Sequence, residues 1–173
     1  DQGAGGIVVP QIENVESAIK ITKDIKYFPE GSRGFSPFTF AGSFTNANAK
    51  DHVKKSNSKS VLVLIIESHD ALEKLDELTE IPHVDVIYIG AYDLSKSLGI
   101  PGDIFNPLLV KRIEKAADII NSSGKIAGSF VPQDKEQLKL CIDIGLKFIT
   151  YSVDTFELKN SYTEALEDLD SLI

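Results

Sequence analysis

At 173 residues, 42% hydrophobic and 25% charged, the chain has the size and composition of one soluble globular domain with enough apolar residues for a core. A net charge of −8 with 18 dispersed basic residues excludes a nucleic-acid binder, since phosphate contacts need clustered Lys and Arg. There is no run of about 18 apolar residues, no signal peptide, and only one cysteine, Cys141, so no membrane span or internal disulfide is expected and a reducing cytoplasm is the expected compartment.

The chain opens on DQGAGGIVVP with no Met, and an earlier part of the protein is expected to precede it. Residues 7–9 read as a short strand stopped by Pro10, and residues 14–26 as a helix with Val15, Ala18, Ile19 and Ile25 on its apolar side. Residues 27–48 form a long irregular loop, YFPEGSRGF and onward, of a length that points to function or contact. Its aromatics, Tyr27, Phe28, Phe35, Phe38, Phe40 and Phe44, are expected to pack over the mouth of the fold or against another subunit. A short helix over 49–56 follows, then strands at 61–66 and 84–89 joined by a helix over 68–80 with leucines at 72, 75 and 78. After Asp93 comes a second irregular stretch. Residues 107–122 read as a helix, 126–131 as a strand, 134–144 as a helix, 148–153 as a strand, and the acidic tail 155–173 as a helix.

A strand, helix and strand crossover makes 61–66 and 84–89 parallel and adjacent. Glu67 and Asp93 then sit side by side at the carboxyl ends of neighbouring strands. Two carboxylates there suit a hard divalent cation, Mg²⁺ or Mn²⁺, which takes oxygen ligands and keeps positions open for water and substrate. Five strands alternating with helices fit either a doubly wound sheet or part of a (β/α)₈ barrel. VVPQIEN lacks the Gly-rich phosphate turn of the first, and chemistry at several strand ends favours the second. A barrel takes about 250 residues, so five units cannot close one.

DQGAGGIVVPQI, YFPEGSRGF, LIIESHDAL, VDVIYIGAYDLSKSLG, GKIAGSF and FITYSVDTFEL follow one another at spacings that resemble the HpcH/HpaI aldolases, metal-dependent pyruvate aldolases of the citrate lyase β-subunit superfamily. The resemblance covers essentially the whole chain. It implies a (β/α)₈ TIM barrel, with residues 1–173 as a single domain forming its carboxyl-terminal five-eighths, fourth strand to eighth helix. It implies reversible cleavage of a 4-hydroxy-2-oxo acid to pyruvate and an aldehyde, with a divalent metal stabilising the pyruvate enolate. Mg²⁺ or Mn²⁺ is the expected ion, with Co²⁺ and Zn²⁺ as alternatives.

Residue by residue, Glu67 and Asp93 resemble the metal ligands. The GAYD turn, Ala91 and Tyr92 included, resembles the segment whose N–H groups at Tyr92 and Asp93 hold the pyruvate carboxylate. Asp1 matches the catalytic carboxylate that orients a histidine, and Phe130 matches a position lining the aldehyde side of the pocket. Ile65 stands where many members have Gln beside the substrate, and Tyr92 where several have a small residue. The family's catalytic histidine and substrate-binding arginine fall upstream of these segments. The resemblance also implies a homo-oligomer, and the 161–173 tail, with an apolar stripe at Leu166, Leu169 and Leu172, needs a partner. No nucleic acid or membrane partner is expected.

Plainer readings stand beside these. Carboxylates past strand ends are often helix caps or ion-pair partners, and a first-residue Asp1 is by itself a solvated end. His52, His69 and His83 read as surface histidines, Arg33 as a structural loop residue, and Cys141 as part of the core. Two other functions stay open: an acyl-CoA lyase of the same superfamily, disfavoured by the lack of a basic patch, and a non-catalytic metal- or keto-acid-binding or interaction protein derived from the barrel.

Overall fold

Apolar runs of four to six residues alternate with capped amphipathic segments, and in the computed structural model, which describes residues 1–132 and 134–173, they become strands separated by one or two helices. The first unit is β1 (Gly6–Val9) and α1 (Val15–Ile25), with Asn14 capping the helix through its side chain on the Ser17 N–H at 2.8 Å. The second is α2 (Ala49–Lys59), β2 (Val61–Ile66), α3 (His69–Leu72) and α4 (Leu75–Thr79). Then come β3 (Val86–Ile89), α5 (Ala91–Ser97) and α6 (Pro107–Ser122), the last started by Asn106 as cap and Pro107 in the first turn. β4 (Ile126–Val131), α7 (Lys135–Asp143), β5 (Phe148–Tyr151) and α8 (Asp154–Asp170) complete the chain.

The strands make one parallel sheet in the order β1-β2-β3-β4-β5. Every strand lies beside its neighbour in sequence, so there is no switch point in the order, and the doubly wound alternative is set aside. Right-handed crossovers between such strands put the helices on one face. The main core lies there: Leu62, Leu64, Ile66, Ile87, Ile89 and Ala127 from the strands meet Leu75, Leu78, Leu94, Leu109, Ile113 and Ile120 from the helices. Burying each of these Leu and Ile side chains contributes about 1.5–3 kcal/mol. The other face carries a smaller cluster, Val63, Val86 and Tyr88, with Ile65, Phe130 and Phe148 packed against it.

Polar groups finish the frame. Asp85 Oδ2 accepts the Leu62 N–H at 2.8 Å and so starts β2 beside β3. Lys125 donates to the Ile81 and Val84 carbonyls at 2.8 and 2.9 Å; burial pulls its ammonium below the ordinary lysine value, against the pull of Asp85 and Glu80. Lys26, 3% exposed, donates to the Asn57 and Ser60 carbonyls and closes the end of α2.

The structure departs from expectation in four places. The helix expected over 68–80 is two short helices, broken at Glu73 and Lys74, which turns Leu75 and Leu78 fully into the core while Arg112 reaches His69 and Glu73 from α6. A helix, α5, occupies the start of what reads as an irregular stretch after Asp93, because its length hides the period. The aromatic loop lies at the amino edge of the sheet rather than over the mouth, since it follows α1 back from the carboxyl edge. Tyr27 is buried there, whereas Phe28, Phe38, Phe40 and Phe44 are exposed. His52 is no free surface histidine: its ring packs near Tyr27 and Phe35, and its Nε2 is buried without a hydrogen-bond partner. α8 buries none of its residues, and Leu166, Leu169 and Leu172 stand exposed along it.

Gly128 permits the close pairing of β4 with β5. A methyl group there would lie 2.5 Å from the Phe148 carbonyl oxygen and 3.1 Å from the Tyr88 ring. Gly128→Ala is therefore expected to destabilise the fold by about 1–3 kcal/mol, read as a lower urea midpoint with an unchanged slope.

Candidate metal and substrate site

The register decides what meets at the carboxyl edge. Ile65 pairs with Tyr88 and Ile66 with Ile89, so the next residues, Glu67 and Gly90, stand opposite one another. Gly90 donates its N–H to the Ile66 carbonyl at 2.9 Å, extending the pairing by one step. A Cβ on Gly90 would lie 2.8 Å from Glu67 Cβ, 3.2 Å from Glu67 Oε2 and 3.3 Å from Ile65 Cγ2. The absent side chain is what leaves room for the carboxylate.

Glu67 is held from the other side as well. Its Oε1 accepts the Gln11 N–H at 2.8 Å, across the top of β1. Gln11 has φ 57, a left-handed conformation that costs a residue with a Cβ about 1–2 kcal/mol, and it follows directly after Pro10. In that conformation the N–H meets Glu67 Oε1, and among the described residues Oε2 has no hydrogen-bond partner. Asp93 lies in the first turn of α5 and is exposed, with no ion pair or side-chain hydrogen bond among the described residues.

The two carboxylates line one cleft of about 420 Å³ together with Gln11, Ile12, Glu13, Ser68, Lys96 and Ser97. The structure thus brings together the two expected ligands. No third His, Cys, Asp or Glu stands close enough to complete a protein-only metal cage among the described residues. A larger cleft, about 580 Å³, opens at the amino edge beside Gly3, Gly42 and Lys55; its single carboxylate is Asp51, and it carries no such pair.

The remaining expected residues divide. Ile65 lies just beneath Glu67 on the face opposite the helices. Tyr92 turns toward β4, its ring 6.0 Å from that of Phe130. Ala91 is buried in the helix-side core, so its methyl group contributes nothing to the cleft. The structure does not bring Asp1 to the cleft. Asp1 precedes β1 at the opposite strand end, where its carboxylate pairs with Arg33 at 3.3 Å and its carbonyl accepts the Ala41 N–H at 3.1 Å. Arg33 in turn lies over the Tyr27 ring, 4.4 Å from its centroid, which is the structural role expected of it.

Sequence reasoning missed Gln11, Gly90 and Lys96. Gly90 alone carried a signal, as a glycine closing an apolar strand where another backbone or side chain approaches closely.

Beneath the site, Tyr88 reaches across Gly128, and its hydroxyl shares a short hydrogen bond with the Thr150 hydroxyl. Burial pushes the Tyr88 phenol above its ordinary value near 10, with the Thr150 bond working the other way.

A family model described as HpcH/HpaI aldolase/citrate lyase matches residues 1–161. The 2-keto-3-deoxy-L-rhamnonate aldolase of Klebsiella pneumoniae subsp. pneumoniae is 33% identical over 167 residues, 96% of this chain and 60% of that protein. The crystal structure of the HpcH/HpaI aldolase from Desulfitobacterium hafniense DCB-2 superposes with a TM-score of 0.89 at 24% identity, covering 96% of this chain and 64% of that one. An HpcH/HpaI aldolase/citrate lyase family protein from Burkholderia cenocepacia J2315 gives 0.87 at 24% identity, covering 97% and 66%. These two structures speak for the fold. The chain spans about 60% of the length of the curated relatives it matches.

Tyr88 is expected to lose its proton above the ordinary tyrosine value when tyrosinate absorbance is followed with pH, and Tyr88→Phe should remove that late step. The folded chain holds this proton to higher pH than the unfolded chain. The associated stability is therefore present below about pH 10 and is lost as pH rises toward the folded value.

Proposed function

The chain belongs to the HpcH/HpaI aldolase/citrate lyase family, and on that footing we propose that it carries the metal and pyruvate site of a carbon–carbon lyase. The reaction is the reversible cleavage of a 4-hydroxy-2-oxo acid to pyruvate and an aldehyde. The observation that carries this reading is the meeting of Glu67 and Asp93 in one cleft at the carboxyl edge, with Gly90 lacking the side chain that would displace Glu67.

The residues fit a divalent cation. Glu67 has one oxygen anchored by a backbone N–H, and among the described residues its other oxygen and Asp93 make no ion pair or side-chain hydrogen bond. Mg²⁺ and Mn²⁺ are commonly held by one or two carboxylates and retain positions for water and substrate oxygens. Thiolates and histidines are absent from the lining, which favours these ions over Zn²⁺. When bound, the cation supplies Lewis acidity toward the enolate oxygen of pyruvate.

The chain's own groups do the rest of the positioning. Glu67 and Asp93 present their carboxylates from adjacent strand ends. Gln11 fixes the orientation of Glu67. The N–H groups of Tyr92 and Asp93, in the first turn of α5 and before the helical bonds begin, hold the 2-oxo acid's carboxylate. Cleavage breaks the C3–C4 bond, leaves its electron pair on C3 of the pyruvate enolate, and turns the C4 hydroxyl, less its proton, into the aldehyde carbonyl. Ile65 and Phe130 border the substrate from the face opposite the helices.

We read the sheet as five consecutive units of a (β/α)₈ barrel, with residues 1–173 as a single domain. The unbroken parallel order, the helices on one face and the two open edges, β1 and β5, support that reading. The uncovered stripe of Leu166, Leu169 and Leu172 on α8 supports assembly with further copies.

Glu67→Ala and Asp93→Ala are each expected to abolish Mn²⁺ binding by the full-length protein, followed as the loss of the free-ion paramagnetic resonance signal. Removing either one of two facing carboxylates should leave the unfolding midpoint nearly unchanged. Gly90→Ala should weaken Mn²⁺ about 10- to 100-fold by displacing Glu67, the size usual for a group that orients a ligand. Unaltered affinity in Glu67→Ala or Asp93→Ala would remove the metal site.

A further inference from the structure

The cleft at the amino edge, about 580 Å³, is larger than the one at Glu67 and Asp93 and takes no part in the chemistry above. One wall is a stripe of α2. His52, Lys55, Ser56 and Lys59 recur at helical spacing and so share a face, and Ser60 follows at the helix end. Ser43 and Thr45 line the facing wall, and residues 3–5 border the same space.

Charge in this cleft runs against that of the chain. The chain carries −8, yet here Lys55 and Lys59 face one carboxylate, Asp51. Both lysines are exposed, and among the described residues neither makes an ion pair.

A third cation lies behind the wall. Lys26, 3% exposed, donates to the carbonyls of Asn57 and Ser60 at 2.8 and 3.0 Å and to the Ser60 hydroxyl at 3.0 Å. These acceptors satisfy its hydrogen bonds, but none carries a negative charge, and a buried cation without one is costly. Because the Ser60 oxygen accepts from Lys26, its hydroxyl keeps its own proton to donate. Ser60 lines the cleft, so an anion that takes this proton sits one hydroxyl away from the buried ammonium. The N–H groups of Gly3, Ala4 and Gly5, on the border of the same space, donate no hydrogen bond among the described residues.

We propose that the amino-edge cleft is a binding site for a phosphate group, free or carried by a small molecule. A phosphate offers several acceptor oxygens and close to two negative charges, which suits two lysines beside hydroxyl and backbone donors. A cleft of this volume has room for the rest of a small phosphate ester. It shares no lining residue with the Glu67 and Asp93 cleft, so the site stands whether or not those carboxylates hold a metal.

The test is calorimetric titration of inorganic phosphate, and separately of glycerol phosphate, into metal-free full-length protein at low ionic strength, where exposed lysines are least screened. At least one should bind once per chain with a Kd below about 1 mM. Tighter glycerol phosphate assigns the site to a phosphorylated small molecule, and tighter inorganic phosphate assigns it to the free ion. Lys55→Gln and Lys59→Gln should each weaken binding about 10-fold, the worth of one charged hydrogen bond. Asp51→Asn should tighten it by removing the opposing charge, a change that no loss of structure produces. Lys111→Gln, at an exposed position of α6, should leave it unaltered. Binding of neither compound overturns the proposal. So does binding that Lys55→Gln, Lys59→Gln and Asp51→Asn all leave unaltered, or that Lys111→Gln weakens as much as the cleft variants do.

Discussion

The carboxyl edge depends on the approach of β2 to β3, which only a residue without a side chain permits at its last step. Parallel pairing carries the register through Ile66 and Ile89, and Gly90 extends it with an N–H bond to Ile66. Any Cβ there would meet Glu67 at 2.8 Å. Had the pairing slipped by one residue, every side chain of β2 would have changed face, with Leu62, Leu64 and Ile66 leaving the helix-side core. The hydrophobic energy that seats those three residues therefore also fixes where Glu67 points. Core packing and site geometry are one constraint.

Among the described residues neither Glu67 nor Asp93 makes an ion pair. Glu67 is steadied by one backbone N–H, supplied through a left-handed Gln11, and Asp93 lies near the start of a helix, where a negative charge is favoured. Backbone strain of the kind seen at Gln11 gathers at sites shaped for a ligand rather than for stability.

Much of the architecture was legible in the residues. β2, with its uninterrupted VLVLII, and the capped helix α6 were readable by period and punctuation. The neighbourhood of Glu67 and Asp93 followed from one crossover rule. What was not legible depends on contacts far apart in the chain. α5 is too short to show a period, and the 68–80 segment divides at Glu73 and Lys74, where Arg112 reaches Glu73 from α6. His52 looks solvated among charged neighbours, yet it packs on Tyr27, and the aromatic loop sits at the amino edge because α1 returns there. Asp1, which the resemblance matches to a catalytic carboxylate, lies at the amino edge beside Arg33, a contact made across 32 residues of chain. Gln11 could not be foreseen, since nothing in a glutamine side chain announces a backbone N–H aimed at a carboxylate.

The central claim is that Glu67 and Asp93 form a site at which a divalent cation and a 2-oxo acid bind together. Calorimetric titration of Mn²⁺ into metal-free full-length protein, with and without pyruvate, tests it most directly. The account predicts that Mn²⁺ binds once per chain and that pyruvate tightens it, because both ligands share one site. Binding of neither, or Mn²⁺ binding that pyruvate leaves unaltered, would contradict it.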